Sequence, residues 1–218
     1  LERMAGAIAG KLYVCGGFDG VSTLNSVECF HQEGSCWESM PEMLSQRAGG
    51  AAAVLAGNLY ICGGYNTGMT LRSVERFQPP PDEQVGTVIA DHGVWSTCPS
   101  MNMEREWPAF SAVAGKLYSC GGKDGGDPGR PLRSVECLDL SAWIAHGGAR
   151  WQFVARMLEP RAVAAAATIG AWLYVCGGWT TNHQDLNSVE RFHPSSDTWE
   201  VTAPMLVRRY GAAAAVAA

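Results

Sequence analysis

The sequence predicts an all-β chain built from four equivalent small sheets, and three observations carry that prediction. The first is repetition: Gly-Gly pairs begin at Gly16, Gly63, Gly121 and Gly177, each followed by a Ser-Val-Glu triplet starting at Ser26, Ser73, Ser134 and Ser188. The second is a rigid segment. Trp37, Trp95, Trp151 and Trp199 are each followed ten residues later by Arg47, Arg105, Arg161 and Arg209, and the next Gly-Gly lies 26 residues beyond the tryptophan in all three measurable cases. The third is an elastic segment: Glu28 to Trp37 and Glu190 to Trp199 are nine residues each, whereas Glu75 to Trp95 is 20 and Glu136 to Trp151 is 15. The surplus, around 79–81 and 142–148, reads as insertions in one kind of loop. A fixed period with one variable loop is the mark of stacked structural units.

Within a unit the strands follow in order. In the second, residues 51–56 form a small-residue strand and the apolar run at 58–62 (NLYIC) a second. Residues 73–77 (SVERF) alternate polar and apolar, and a short strand surrounds Trp95; Gly, Pro, Asn and Asp punctuate the gaps. Alanine runs at 164–167 and 212–215 favour helix by propensity. The same slot holds Ala-Phe-Ser-Ala-Val in the third unit, so they are read as strands. A four-stranded sheet cannot bury both faces alone, and such units stack radially as propeller blades. The chain then forms one domain over 1–218, with blades near 1–40, 48–98, 106–155 and 162–203, and the first strand of a fifth at 210–218.

Composition narrows the function. The chain has 218 residues, 47% apolar and only 17% charged, with a net charge of −5. That is globular, and the absence of a basic excess argues against nucleic acid as partner. No apolar stretch reaches the ~20 residues of a membrane helix. Cys15, Cys62, Cys120 and Cys176 each precede a Gly-Gly pair, and Cys29 and Cys137 each follow a Ser-Val-Glu triplet. Cysteines that recur once per unit stand far apart, which predicts reduced structural thiols and a reducing, cytoplasmic setting. No metal and no cofactor are expected: there is no Cys-x-x-Cys, no His-Glu-x-x-His, no Gly-x-Ser-x-Gly and no phosphate loop in 121–126. Cys29, His31 and Cys36 are the nearest approach to a ligand cluster, but the equivalent positions in the other units do not repeat it. Asp197-Thr198-Trp199 reads as a turn before a strand. The repeated glutamates, Glu28, Glu75, Glu136 and Glu190, read as hydrogen-bond acceptors within the sheets.

The four copies of Leu-Tyr-x-Cys-Gly-Gly, Ser-Val-Glu and Trp-x9-Arg resemble the kelch repeat over the whole chain. Residues 37–47 (WESMPEMLSQR) are most similar to the kelch domains of BTB–kelch substrate adaptors. The resemblance implies a kelch-type β-propeller. Adaptor propellers of this kind usually have six blades, so the four predicted here are expected to be part of a larger ring. An open ring would expose a strand edge and a blade face, and association is expected. The function implied is non-catalytic: holding a client protein or peptide, acidic in related adaptors, for a cullin-type ubiquitin ligase engaged through a BTB domain that this chain does not contain. Actin binding through the long loops at 79–92 and 142–150 is an alternative, and a propeller enzyme a more distant one.

Candidate contact residues are those that differ between units on one rim. After each Gly-Gly come Phe18 and Asp19, Tyr65 and Asn66, Lys123 and Asp124, or Trp179 and Thr180. The repeat arginines, Arg47, Arg105, Arg161 and Arg209, lie at the turn entering each inner strand, which aims them toward the channel mouth. Their planar forks suit carboxylates, and the aromatic neighbours add anchoring area.

Overall fold

In a computed structural model, residues 4–80, 92–126, 128–141, 148–182 and 184–215 are described. Four antiparallel four-stranded sheets follow one another along the chain. The first holds β1 (Met4–Ile8), β2 (Lys11–Phe18), β3 (Thr23–His31) and β4 (Cys36–Met40). The second holds β5 (Ala51–Leu55), β6 (Asn58–Cys62), β9 (Val74–Gln78) and β10 (Val94–Cys98), with a two-stranded ribbon, β7 (Tyr65–Asn66) and β8 (Met69–Thr70), in the loop after β6. The third is β11 (Ala109–Val113), β12 (Lys116–Cys120), β13 (Val135–Asp139) and β14 (Gln152–Val154). The fourth is β15 (Ala165–Ile169), β16 (Trp172–Cys176), β17 (Val189–His193) and β18 (Thr198–Thr202). Each is a simple meander whose first strand lies inside: β1 packs on β5, β5 on β11 and β11 on β15. These are four propeller blades.

The alanine run at 164–167 is a strand, as its place in the repeat requires. β15 pairs with β16 from Ala165↔Cys176 to Ile169↔Trp172, and the tight crowding of inner strands explains why small residues fill them. Residues 211–215, where the first strand of a fifth unit was expected, form no strand.

The second strand of blade two is apolar because both of its faces are covered by neighbouring blades: Leu59, Tyr60, Ile61 and Cys62 are all buried. Three apolar layers result. The layer between blades one and two joins Tyr13, Cys15 and Cys29 to Leu59, Phe77 and Trp95, and Tyr13 meets Phe77 at 5.5 Å between ring centroids. The layer between blades three and four repeats it, with Tyr118 against Phe192 at 5.5 Å. Each buried tryptophan donates its indole N–H to a carbonyl of the preceding blade's exit: Trp95 to Pro41 at 2.9 Å, Trp151 to Pro99 at 2.8 Å and Trp199 to Ala155 at 2.7 Å.

All eight cysteines are free, and Cys36 alone is exposed. Burial pushes the thiols of Cys15 and Cys62 up to about 12 and that of Cys98 to about 11, and raises Cys29, Cys120, Cys137 and Cys176 in the same direction. A thiolate is the reactive form. Titration of the native chain with a thiol reagent near neutral pH is therefore expected to modify Cys36 promptly and the half-buried Cys176 more slowly, the six buried thiols reacting only on unfolding. Rapid modification of several thiols in the folded chain would contradict this packing.

Candidate functional site

The loops after β2, β6, β12 and β16 and the turns that lead into β5, β11 and β15 lie on one face of the propeller. The turn arginines are found inside this face, not on it. Arg47, Arg105 and Arg161 are among the most completely buried side chains, at 0–1% exposure. Each guanidinium crosses into the next blade. Arg105 Nη1 donates to the carbonyls of Gly121 (2.7 Å) and Ser134 (3.0 Å), and its Nη2 to Ser134 Oγ (3.0 Å) and Glu136 Oε1 (2.9 Å). Arg47 pairs in the same way with Glu75 (2.5 Å) and Arg161 with Glu190 (2.6 Å). The carboxylates accept backbone N–H groups as well: Leu44 on Glu75, Asn102 and Met103 on Glu136, Leu158 and Glu159 on Glu190. The expectation that these three arginines reach the channel mouth is thereby corrected. A planar fork with five donors suits a carboxylate, and the repeat supplies one 28 to 31 residues on, in the Ser-Val-Glu triplet of the blade that the turn enters. The glutamates bridge blades instead of serving their own sheet. Arg209 differs: it is exposed.

The Gly-Gly pairs make this clasp possible. Gly63 has φ +63°, and a Cβ there would run into the carbonyl of Arg105; Gly177, at φ +64°, would meet the carbonyl of Arg209 at 2.5 Å. Glycine alone tolerates both the left-handed backbone and the close approach.

The variable residues after Gly-Gly are drawn toward the arginine turns by backbone bridges. Tyr65 exchanges hydrogen bonds with Ala48 (2.8 and 3.0 Å), Lys123 with Glu106 (2.7 and 2.8 Å) and Trp179 with Ala162 (3.0 Å each). Their side chains therefore form a collar around the inner strands. Phe18 lies on the rim, largely exposed. Asp19 has a local role, its carboxylate accepting the N–H groups of Val21 and Ser22 at 2.7 Å, which holds it below the usual carboxylate range. Asp124 likewise closes its own loop through the N–H of Arg130 at 2.7 Å. Asn66 is half-buried in the ribbon, and Thr180 donates its N–H to the Gln184 carbonyl.

Closer to the axis runs a belt that the sequence reading missed. Trp107 donates its N–H to the Gly49 carbonyl (2.6 Å), Val163 to Trp107 (3.1 Å) and Gly211 to Val163 (3.0 Å). All four residues are left-handed, at φ +62°, +50°, +55° and +65° for Gly49, Trp107, Val163 and Gly211. Two of the four slots thus carry strained non-glycine residues. Trp107 packs over Gly49, where a Cβ would stand 2.6 Å from the indole nitrogen. Tyr65 meets the Trp107 ring edge-on at 6.1 Å, and Lys123 Nζ lies 5.4 Å above it. Lys123 also pairs with Glu106 at 3.2 Å, and Thr70 Oγ1 donates to the same carboxylate at 2.7 Å. The signal was available: Trp107 stands two residues beyond the repeat arginine, where glycine stands in Gly49 and Gly211. On the same face a groove of about 440 Å³ lies among the turn before β11, the β12–β13 loop and the turn before β15, lined by Met103, Leu132, Pro160, Arg133 and Arg156.

Chemically the face offers aromatic area and cations. Among the described residues, no group of three His, Cys, Asp or Glu is placed to hold a metal, and Glu75, Glu136 and Glu190 are consumed by arginines. No helix among the described residues is long and apolar enough to cross a membrane. The loops suggested for actin fall mostly at 81–91 and 142–147, outside the described residues.

Comparison with known proteins agrees with this architecture. The Kelch motif family model matches residues 5–44, 46–102, 108–158 and 160–206. Kelch-like protein 35 of Mus musculus is 32% identical over 110 residues, covering 50% of this chain and 18% of that protein. Kelch repeat protein M-T8 of Myxoma virus (strain Lausanne) is 31% identical over 115 residues, 52% of this chain and 20% of that protein. The matched region thus spans about a fifth of either relative. The solved structure of YjhT superposes with a TM-score of 0.79 at 16% identity, over 97% of this chain and 72% of that one.

Proposed function

The chain belongs to the kelch family, and from that premise we propose that it is a non-catalytic recognition propeller which holds a client peptide on the collar around the inner strands. The observation that carries this reading is Trp107. A bulky aromatic is kept at φ +50° on the loop face, beside Tyr65 and Lys123, in a slot that glycine fills without strain two blades away. Strain retained at an accessible aromatic marks a site of use. Exposed Arg133 and Arg156 in the adjoining groove make an acidic segment the expected client chemistry. By family resemblance the client is then presented to a cullin-type ubiquitin ligase in the cytoplasm, as in Kelch-like adaptors.

Selection of a random peptide library against the immobilised chain tests the reading. Acidic peptides with an apolar anchor are expected, and they should lose binding to Lys123→Glu and to the double variant Arg133→Glu, Arg156→Glu. Binding should be untouched by Lys11→Glu on the opposite face, where Lys11 lines a separate cavity with Tyr13 and Asn58. Peptides that ignore the collar variants, or none at all, would refute it.

A further inference from the structure

The 440 Å³ groove on the loop face carries a doubled positive charge that no carboxylate of its lining balances. Arg133 comes from the β12–β13 loop and Arg156 from the turn before β15, and the Met157 N–H donates to the Arg133 carbonyl at 2.9 Å, which ties the two segments together at this point. Both arginines are exposed, and neither side chain has an ion pair or hydrogen bond among the described residues. The carboxylates beside the groove are turned elsewhere. Glu159 is held by Ser188 Oγ at 2.6 Å and by Arg161 at 3.3 Å, and Glu104 stands over Gly125. The other blades do not build this pair. The slots of Arg133 and Arg156 hold Asn25 and Glu42 in blade one, Arg72 and Ser100 in blade two, and Asn187 and Pro204 in blade four. In blade one the two side chains touch, Asn25 Nδ2 donating to Glu42 Oε2 at 2.9 Å, so the slots face each other. Two guanidinium groups in facing slots repel unless an anion lies between them.

We propose that Arg133 and Arg156 read a phosphate monoester on the client, a phosphorylated serine or threonine; this rests on the reading of the loop face as a client site and names the residue that site selects. The choice of phosphate over carboxylate follows from counting acceptors. One carboxylate has two oxygens and a single charge, which one guanidinium fork already satisfies. A phosphate monoester presents three terminal oxygens and a charge of about −1.5 to −2 near neutral pH, so it accepts from both forks at once. Met103, Leu132 and Pro160 form the rest of the lining. An apolar wall of this kind strengthens the ionic contacts beside it and takes an apolar residue next to the phosphorylated one.

Three peptide libraries, identical except for a central serine, glutamate or phosphoserine, are passed over the immobilised 218-residue chain, and retained peptides are measured singly by isothermal titration. Phosphoserine peptides are expected to bind at least roughly tenfold tighter than their glutamate counterparts, the gain from a second charge-assisted fork. Arg133→Gln and Arg156→Gln, both at exposed positions and so compatible with folding, should each bring phosphoserine affinity down to the glutamate level. Arg72→Gln removes the same charge from the slot that blade two pairs with Ser100 and should leave the preference intact. Glutamate peptides that bind as tightly as phosphoserine ones overturn the inference while the client reading stands, and a preference that survives both glutamine variants does the same. Retention of none of the three libraries overturns both. Inorganic phosphate or free phosphoserine binding as tightly as the peptides would also overturn the inference, since the site would then hold a small anion and not a client.

Discussion

Replacement of Glu136 by alanine is expected to destabilise the chain by about 3–5 kcal/mol, the effect of leaving a buried charge without its partner. Glu136 and Arg105 are both fully buried, and the carboxylate also takes the N–H groups of Asn102 and Met103. Its loss leaves a guanidinium and two amides in an apolar layer closed by Leu117, Leu138 and Trp151. Against a total stability of about 5–15 kcal/mol for an ordinary domain, this removes much of the folded population. Arg105→Ala should be comparably severe, because the Glu136 carboxylate and the Gly121 carbonyl lose this donor together, the Ser134 carbonyl keeping only the Gly121 N–H. The double variant Arg105→Met, Glu136→Leu separates charge from packing. With both charges gone it should recover part of the loss, remaining about 1–3 kcal/mol below the parent because the Gly121 carbonyl loses Arg105 and the Asn102 and Met103 N–H groups lose the carboxylate. Urea unfolding of the four proteins gives the comparison. The exposed pair Lys116–Asp139, at 3.1 Å, is the control; removing Asp139 should cost no more than about 1 kcal/mol. A Glu136→Ala variant as mild as that control would mean the clasp does not hold the blades together.

The clasp also shows where sequence reasoning reached and where it stopped. The repeat was fully legible, since Gly-Gly, Ser-Val-Glu and tryptophan recur at offsets that only a stacked architecture satisfies. The two halves of each clasp were legible as well, as Arg105 and Glu136, but not their union. They lie 31 residues apart, Arg105 in the turn entering blade three and Glu136 on that blade's third strand, and no periodicity within a unit reveals which partner completes a bond. Arginine has enough donors to serve an acidic ligand or a buried carboxylate, and composition does not distinguish the two. The variable slots after Gly-Gly were found because their chemistry changes from Phe18 to Tyr65 to Lys123 to Trp179. Trp107 stands in a variable slot of the same kind, shared with Gly49, Val163 and Gly211, but its backbone at φ +50° and its ring contacts follow from no spacing in the sequence.

Trp107→Gly is expected to weaken peptide binding by roughly two orders of magnitude, as for an aromatic anchor at the centre of an interface, while leaving the unfolding midpoint nearly unchanged. Two effects on stability oppose each other. A left-handed non-glycine residue costs about 1–2 kcal/mol, which glycine returns. The lost edge-on contact with Tyr65 and the cation over the ring are together worth about 1–2 kcal/mol in the other direction. The belt survives, because the Trp107 N–H and carbonyl that bond Gly49 and Val163 are backbone groups and Gly211 holds the equivalent place without a side chain. Val163→Gly is the matched control. It relieves the same strain at φ +55° without touching the aromatic cluster, so it should stabilise by about 1 kcal/mol and leave peptide affinity intact. Isothermal titration of a selected peptide, with thermal unfolding of the same samples, reads both quantities. If Trp107→Gly binds like the parent, the strained tryptophan is a packing feature of the belt, and the client site must lie out along the groove with Arg133 and Arg156. If binding falls while stability holds, the strain at Trp107 is the cost of presenting an indole to a partner, and the collar is the recognition surface of the propeller.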